Sequence, residues 1–205
     1  MARASTSKSS AKSSASNTIV SLKVTLQGLR PPIWRRILVP ASIRLGALSD
    51  VIQAAMGWRG GHMHSFTIAG RDYGERGVLD DGADENRATL GVVVKTGIKR
   101  FAYTYDFGDS WDHIVAIEKT EPVRPGQSYP ICTAGKRNCP PEDCGGSWGY
   151  AELLEVLADP ANPERKKRLE WIDEDDFDPE AFDIDLANHL LAVRATSWGL
   201  SSRVA

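Results

Sequence analysis

Hydrophobic and polar residues alternate from Thr18 onward: Val20, Leu22, Val24 and Leu26 are set against Ser21, Lys23, Thr25 and Gln27. A period of two marks a strand with one buried face. Gly28–Pro32 breaks the alternation, and Ile33–Val39 resumes it as a second strand, the antiparallel partner of the first. Leu45, Leu48, Ile52 and Met56 then fall at helical spacing, with Gly57 placed to end the helix. His64, Phe66 and Ile68 alternate along a third strand, and Gly70–Gly74 reads as a turn into a short return strand. Gly77–Asn86 has the composition of a loop, and the apolar run Leu90–Val94 suits a strand or a helix equally.

Two further alternating runs follow: Phe101, Tyr103, Tyr105 and Phe107, then Trp111, His113, Val115 and Ile117. The Gly108-Asp109 break joins them as a hairpin. Glu121–Gly149 is rich in Pro, Gly and Cys and reads as one long loop. Beyond it the period changes, with Leu153, Leu154 and Leu157 sharing one side of a helix over Ala151–Ala158. Asn162-Pro163 and Asp178-Pro179 each pair a capping residue with proline at a first helical position, predicting helices near Glu164–Trp171 and Glu180–Val193. Strands early and helices late predict an α+β fold. The expected architecture is a single domain, a mostly antiparallel sheet with one early helix and C-terminal helices packed on it.

Composition refines the boundaries. Met1–Asn17 is Ser/Ala-rich and has no large apolar residue after Met1, so residues 1–18 are expected to form a disordered tail. The folded unit spans 19–193, and 194–205 is a second flexible tail. No apolar run approaches the 18 or more residues of a membrane span, and the first eighteen residues lack a signal-peptide core. Three cysteines without a secretory signal suit a reducing compartment, so the expected localisation is cytoplasmic, with no membrane partner. Residues 1–151 carry 19 Lys/Arg against 14 Asp/Glu, and residues 152–205 carry 6 against 13. Such a balance does not single out a nucleic-acid partner, which would call for strongly concentrated positive charge.

Candidate chemistry gathers in two blocks. In the first, His62 and His64 lie two residues apart at the start of a strand, and Trp111 and His113 repeat that spacing with Asp109 in the turn ahead of them. Residues two apart point the same way, so His62, His64, Asp109 and His113 form a candidate set for zinc or another divalent transition metal with an open position. The plainer reading packs these histidines within the sheet. In the second block, Cys132, Cys139 and Cys144 offer thiolates, but no CxxC knuckle is present, and buried cysteines behave as small apolar residues. Pro140-Pro141-Glu142-Asp143 stiffens that loop. Asp106-Phe107-Gly108 carries no kinase meaning, because the accompanying glycine-rich loop and strand lysine are missing. The nine carboxylates of Glu170–Asp185 read as a solvated face with helix caps, and Arg35-Arg36 and Lys136-Arg137 as ordinary surface.

Six stretches in order resemble a known family: Leu29–Arg36, Gln53–Trp58, His62–Phe66, Tyr105–His113, Cys139–Tyr150 and Phe177–Pro179. The chain is similar to the plasmid pRiA4b ORF-3-like proteins, whose insertion-element members are labelled TnpR passenger proteins. The resemblance covers roughly residues 19–193. It implies a compact α+β fold in a mobile-element setting and brings no catalytic residues with it.

The expectation is a non-enzymatic accessory or binding module that uses no cofactor and takes an unidentified protein or small-molecule partner. Its proposed surface joins Trp58, His62, His64, Asp109, Trp111 and His113 to Glu142 and Asp143 on the cysteine loop. Two alternatives differ in class: a metal-dependent hydrolase on the His/Asp set, and a weak nucleic-acid binder whose affinity falls steeply with salt.

Overall fold

The structure is a computed structural model and describes residues 17–195. Of the two tails expected at 1–18 and 194–205, residues 1–16 and 196–205 lie outside the described residues, while Thr18 belongs to the first strand and Arg194 and Ala195 to the last helix. Eight strands form one sheet: β1 (Thr18–Leu26), β2 (Trp34–Pro40), β3 (His64–Ile68), β4 (Arg71–Gly74), β5 (Ala83–Asp84), β6 (Arg100–Tyr105), β7 (Trp111–Pro122) and β8 (Ile131–Lys136). Their order across the sheet is β5-β4-β3-β6-β7-β1-β2-β8. Every neighbouring pair is antiparallel except β4 with β5. Among the described residues, five α-helices complete the α+β fold: α1 (Leu45–Met56), α2 (Leu90–Lys95), α3 (Gly146–Ala158), α4 (Arg165–Ile172) and α5 (Ile184–Ala195). Among the described residues, no helix is long and apolar enough to cross a membrane.

The alternation in β1 has the expected consequence. Val20, Leu22, Val24 and Leu26 are almost fully buried in the main core, together with Leu45, Leu48, Ile52 and Met56 of α1. Ser21 projects the other way, where its Oγ donates to Glu118 Oε2 at 3.1 Å. Arg36 clamps the same carboxylate through two bonds of 2.7 and 2.9 Å. A small second cluster of Ile19, Leu38 and Tyr129 is separate from the main core.

Two elements depart from the pattern reading, and a third settles a run it left open. β8 lies within the stretch read as loop. Its pairing with β2, Trp34 to Lys136 through Leu38 to Ile131, joins residues about a hundred apart and leaves no local period. The Leu90–Val94 run is the short helix α2. The last helix starts at Ile184, where Asp183 accepts from the N–H groups of Asp185 and Leu186 at 2.9 Å each. Asp178 closes only a local turn onto Glu180 N.

Arg35 and Arg137 also correct the surface reading, at 2% and 6% exposure. Arg35 donates to the carbonyls of Trp34, Ala55 and Lys136 and lies 4.1 Å from the centre of the Phe182 ring. It ties α1 to β8 and to the segment beyond. Arg137 donates to Pro31 O at 2.7 Å and pairs with Glu180. At the outer edge of β8, Asn188 of α5 exchanges two bonds with the Cys132 backbone, 2.8 and 3.0 Å, and so covers part of an otherwise bare sheet edge.

Candidate functional site

Three segments meet beside the C-terminal end of α1. The helix closes on Gly57 in the left-handed region, φ 97°, with N–H bonds back to Gln53 O and Ala54 O. Trp58 N also returns to Gln53 O at 2.9 Å, which folds the indole inward. Its ring stacks on Tyr105 at 4.9 Å, lies 6.2 Å from Trp111 and meets His113 edge-on at 5.5 Å. The second segment is the β6–β7 turn. Asp106 adopts φ 57°, a conformation that Asp tolerates better than most residues. Its Oδ1 accepts from Gly108 N and Asp109 N, so Asp106-Phe107-Gly108 is a side-chain-closed turn. Asp106 N donates to Met63 O at 2.9 Å, binding this turn to the His62–His64 stretch.

The third segment is the cysteine loop, and it reaches the other two through specific bonds. Trp58 Nε1 donates to Pro140 O at 2.9 Å. Glu142 accepts from Tyr105 Oη at 2.5 Å and from the backbone of Arg59 and Gly60 at 3.0 and 3.3 Å. Asp109 accepts from Gly145 N at 3.1 Å. Burial first, and then the Glu142 carboxylate, push the Tyr105 phenol well above its ordinary range. Tyr105 therefore stays a donor at any working pH. The imidazole-bearing and thiol-bearing stretches thus share one site.

The structure sorts the expected ligands differently from the sequence. His62 has Asp106 Oδ2 3.4 Å from Nδ1 and Asp143 Oδ1 3.3 Å from Nε2. Donor atoms of these three residues lie within 4.8 Å of one another, the one such group among the described residues. His64 does not join it. Its Nε2 pairs at 2.8 Å with the buried Glu85, beside a separate cavity of about 560 Å³ at the start of α1. Asp109 spends its carboxylate on Gly145, and His113 is buried with Nδ1 3.3 Å from Tyr103 O. Trp111 and His113, expected on a binding surface, instead stand in the core behind it, at 2% and 1% exposure.

The three thiols are free and do not converge. Cys139 contacts Met56 Sδ at 3.4 Å and Arg35 Nη2 at 3.5 Å, Cys132 turns to Ala134 O, and Cys144 to Gly146 O. Burial pushes Cys139 up to about 11 and Cys144 to about 12, so neither is a thiolate near neutrality. Sequence reasoning missed Asp106 as a site carboxylate and Tyr105 as its neighbour. The usable signal was an Asp near the end of an alternating run and two residues before Gly108, a spacing that suits a side-chain-closed turn.

His113 carries a consequence for acid stability. Burial lowers its pKa from 6.5 to about 4, so the folded protein keeps the ring neutral. The unfolded ring takes up a proton near 6.5 and the folded ring only near 4, so the stabilisation is complete above pH 6.5 and is lost as pH falls toward 4. A loss of about 2 kcal/mol is expected between pH 7 and pH 5. Urea midpoints of the His113→Gln variant should be flatter over that window. An equally steep profile in the variant would assign the acid sensitivity to other groups.

The front of the site is a cleft of about 530 Å³. One wall holds Trp58, His62 and Pro140–Asp143, and the other holds Trp171 and Ile172 of α4 with Leu186 and Leu190 of α5. Trp171 and Leu186 are large apolar side chains left 46% and 54% exposed, an arrangement that soluble surfaces use sparingly outside contact sites.

Residues 18–186 match the family described as Plasmid pRiA4b ORF-3-like protein. The uncharacterized protein y4hQ of Sinorhizobium fredii is 40% identical over 189 residues, 91% of this chain and 97% of that protein. A crystal structure of a protein of unknown function, MM3350 from Methanosarcina mazei Go1, superposes with a TM-score of 0.76 at 42% identity. That match covers 82% of this chain and 97% of the other.

Proposed function

This chain belongs to the plasmid pRiA4b ORF-3-like family, and on that premise we propose that it is a binding module whose ligand enters the cleft between the cysteine loop and helices α4 and α5. The observation that carries this reading is the pairing of two unlike walls. One is a bonded polar wall built on Trp58, His62, Glu142 and Asp143, and the other an exposed apolar wall of Trp171 and Leu186. A cavity of about 530 Å³ is in the range that takes a small molecule or a short peptide segment. The ligand class that fits has an apolar body against α4 and α5 and a polar end against His62 and Asp143. Accessory action within a mobile element, in a reducing cytoplasmic setting, is the biological frame, and the free thiols support the compartment.

Amide shift mapping of the full chain with small aromatic acids and amines tests the reading. The expected result is that shifts at 58–62, 139–143 and 171 move together and saturate. Trp171→Ala should weaken that binding at least about tenfold, the order of loss when an aromatic anchor is truncated. Because Trp171 is exposed, the change should move stability by no more than about 0.5 kcal/mol. Hits that map elsewhere, or binding indifferent to Trp171→Ala, would overturn the proposal.

A further inference from the structure

His62 is flanked by carboxylates on both ring nitrogens, Asp106 on Nδ1 and Asp143 on Nε2. A neutral imidazole has one N–H, so one of those carboxylates must face a nitrogen lone pair. Two acceptors held about three ångströms apart repel unless a cation lies between them. A metal ion bridging the lone pair and the carboxylate supplies such a cation.

Four features favour the metal. Asp106 is 8% exposed, and its Oδ1 is already taken by two backbone N–H groups, which leaves Oδ2 directed at the ring. Held this way, Oδ2 is a free ligand atom 3.4 Å from His62 Nδ1, a separation that two ligand bonds of about 2.0–2.2 Å to one ion span. Asp143, by contrast, has a side chain 69% exposed, so it has the freedom to close on an ion. One donor atom from each residue already lies within 4.8 Å of the others, a spread that ligand bonds of about 2.0–2.2 Å draw in with a small movement of Asp143. Finally, His62 and Asp143 line the cleft, so the remaining coordination positions open onto its cavity.

We infer that His62, Asp106 and Asp143 form a site for one divalent transition-metal ion at the polar end of the cleft. One imidazole with two carboxylates suits zinc or manganese, whereas calcium and magnesium prefer all-oxygen shells. The inference rests on the cleft reading and deepens it: the polar end of the ligand meets the ion's open positions. His64, His113 and the three cysteines take no part.

The test uses tag-free full-length protein, stripped with a chelator and then dialysed against Zn²⁺ or Mn²⁺ in excess Mg²⁺ and Ca²⁺. The expected result is one retained equivalent of Zn²⁺ per chain. Substoichiometric Mn²⁺ should broaden the His62 ring resonances before any others. His62→Gln and Asp143→Asn, both at accessible side chains and so compatible with folding, should each weaken retention by more than the roughly 10–100-fold lost with a mere outer partner. No retention, retention that survives both substitutions, or broadening confined to the acidic stretch Glu170–Asp185 would each overturn the site. Repeating the aromatic-fragment titration in chelator separates the two readings. Binding that persists at the cleft while Zn²⁺ is never retained sinks the metal site alone, and absence of both sinks the cleft as well.

Discussion

Trp58→Ala is expected to cost about 4 kcal/mol of stability, within the range for deleting a buried tryptophan side chain, and to release the cysteine loop. The indole is 3% exposed and touches three aromatic neighbours, Tyr105, Trp111 and His113. Truncation removes those contacts and leaves a cavity that a sheet on one side and α1 on the other cannot collapse into. It also removes the donor to Pro140 O, a side-chain bond at the end of α1 that joins the backbone bonds of Arg59 and Gly60 in holding the loop. Trp58→Phe separates the two effects. It keeps most of the packing and loses the bond, so it should cost about 1–2 kcal/mol.

Urea unfolding measures the stability terms, and thiol labelling reports the loop. Cys139, 6% exposed and with its thiol pushed up to about 11, should react slowly in the native protein and much faster in Trp58→Ala. If the two substitutions cost the same, or if Cys139 labelling is unchanged, Trp58 is not the pin that joins the helix to the loop.

Much of the fold is legible because the sheet has one core face. Val20, Leu22, Val24 and Leu26 of β1, and Phe101, Tyr103 and Tyr105 of β6, alternate because every second residue meets α1 or its neighbours. The register of β6 against β7, Tyr103 opposite His113 and Tyr105 opposite Trp111, follows from the short turn after Asp106. β8 shows the opposite case. It is an edge strand of Ile131-Cys132-Thr133-Ala134-Gly135-Lys136, held by β2 on one side and by Asn188 of α5 on part of the other. Its stability comes from partners far along the chain, so its own residues carry no strong period.

The site was legible in part for the same reason. His62 and the Pro140–Asp143 loop could be named from residue type, and their meeting could be hoped for, but the meeting is made by backbone groups. Arg59 N and Gly60 N reach Glu142, and Gly145 N reaches Asp109. Nothing in the identity of Arg59 or Gly60 announces that bond. The spacing rule for His62 and His64 failed because His62 precedes β3 and does not obey the strand's alternation. His64, inside the strand, turns to Glu85. His113 obeyed the alternation fully and was carried into the core by it.

The loop's conformation depends most sharply on Gly149. In an exposed helix a Gly→Ala change ordinarily stabilises by up to about 1 kcal/mol. At Gly149 the sign is expected to reverse. A Cβ there would lie 1.8 Å from Cys144 O, a backbone atom that no side-chain rotation can remove. Either α3 unwinds its first turn, losing the Gly149 N to Gly145 O bond, or the backbone at Cys144 moves away. Movement at Cys144 is transmitted directly to its neighbours. Asp143 at φ 59°, Gly145 at φ 89° and Gly146 at φ 67° already hold left-handed conformations, and Gly146 packs so closely on Asp109 that its own Cβ would meet Asp109 O at 2.6 Å. Gly149→Ala should therefore cost about 3 kcal/mol, the upper end for overpacking, and displace Asp143 from His62. Amide shifts should move throughout 139–149 and at His62 while those of β1 and β2 stay in place. A variant as stable as the parent with unmoved shifts would mean that the helix start yields cheaply and that the position of Asp143 does not depend on it.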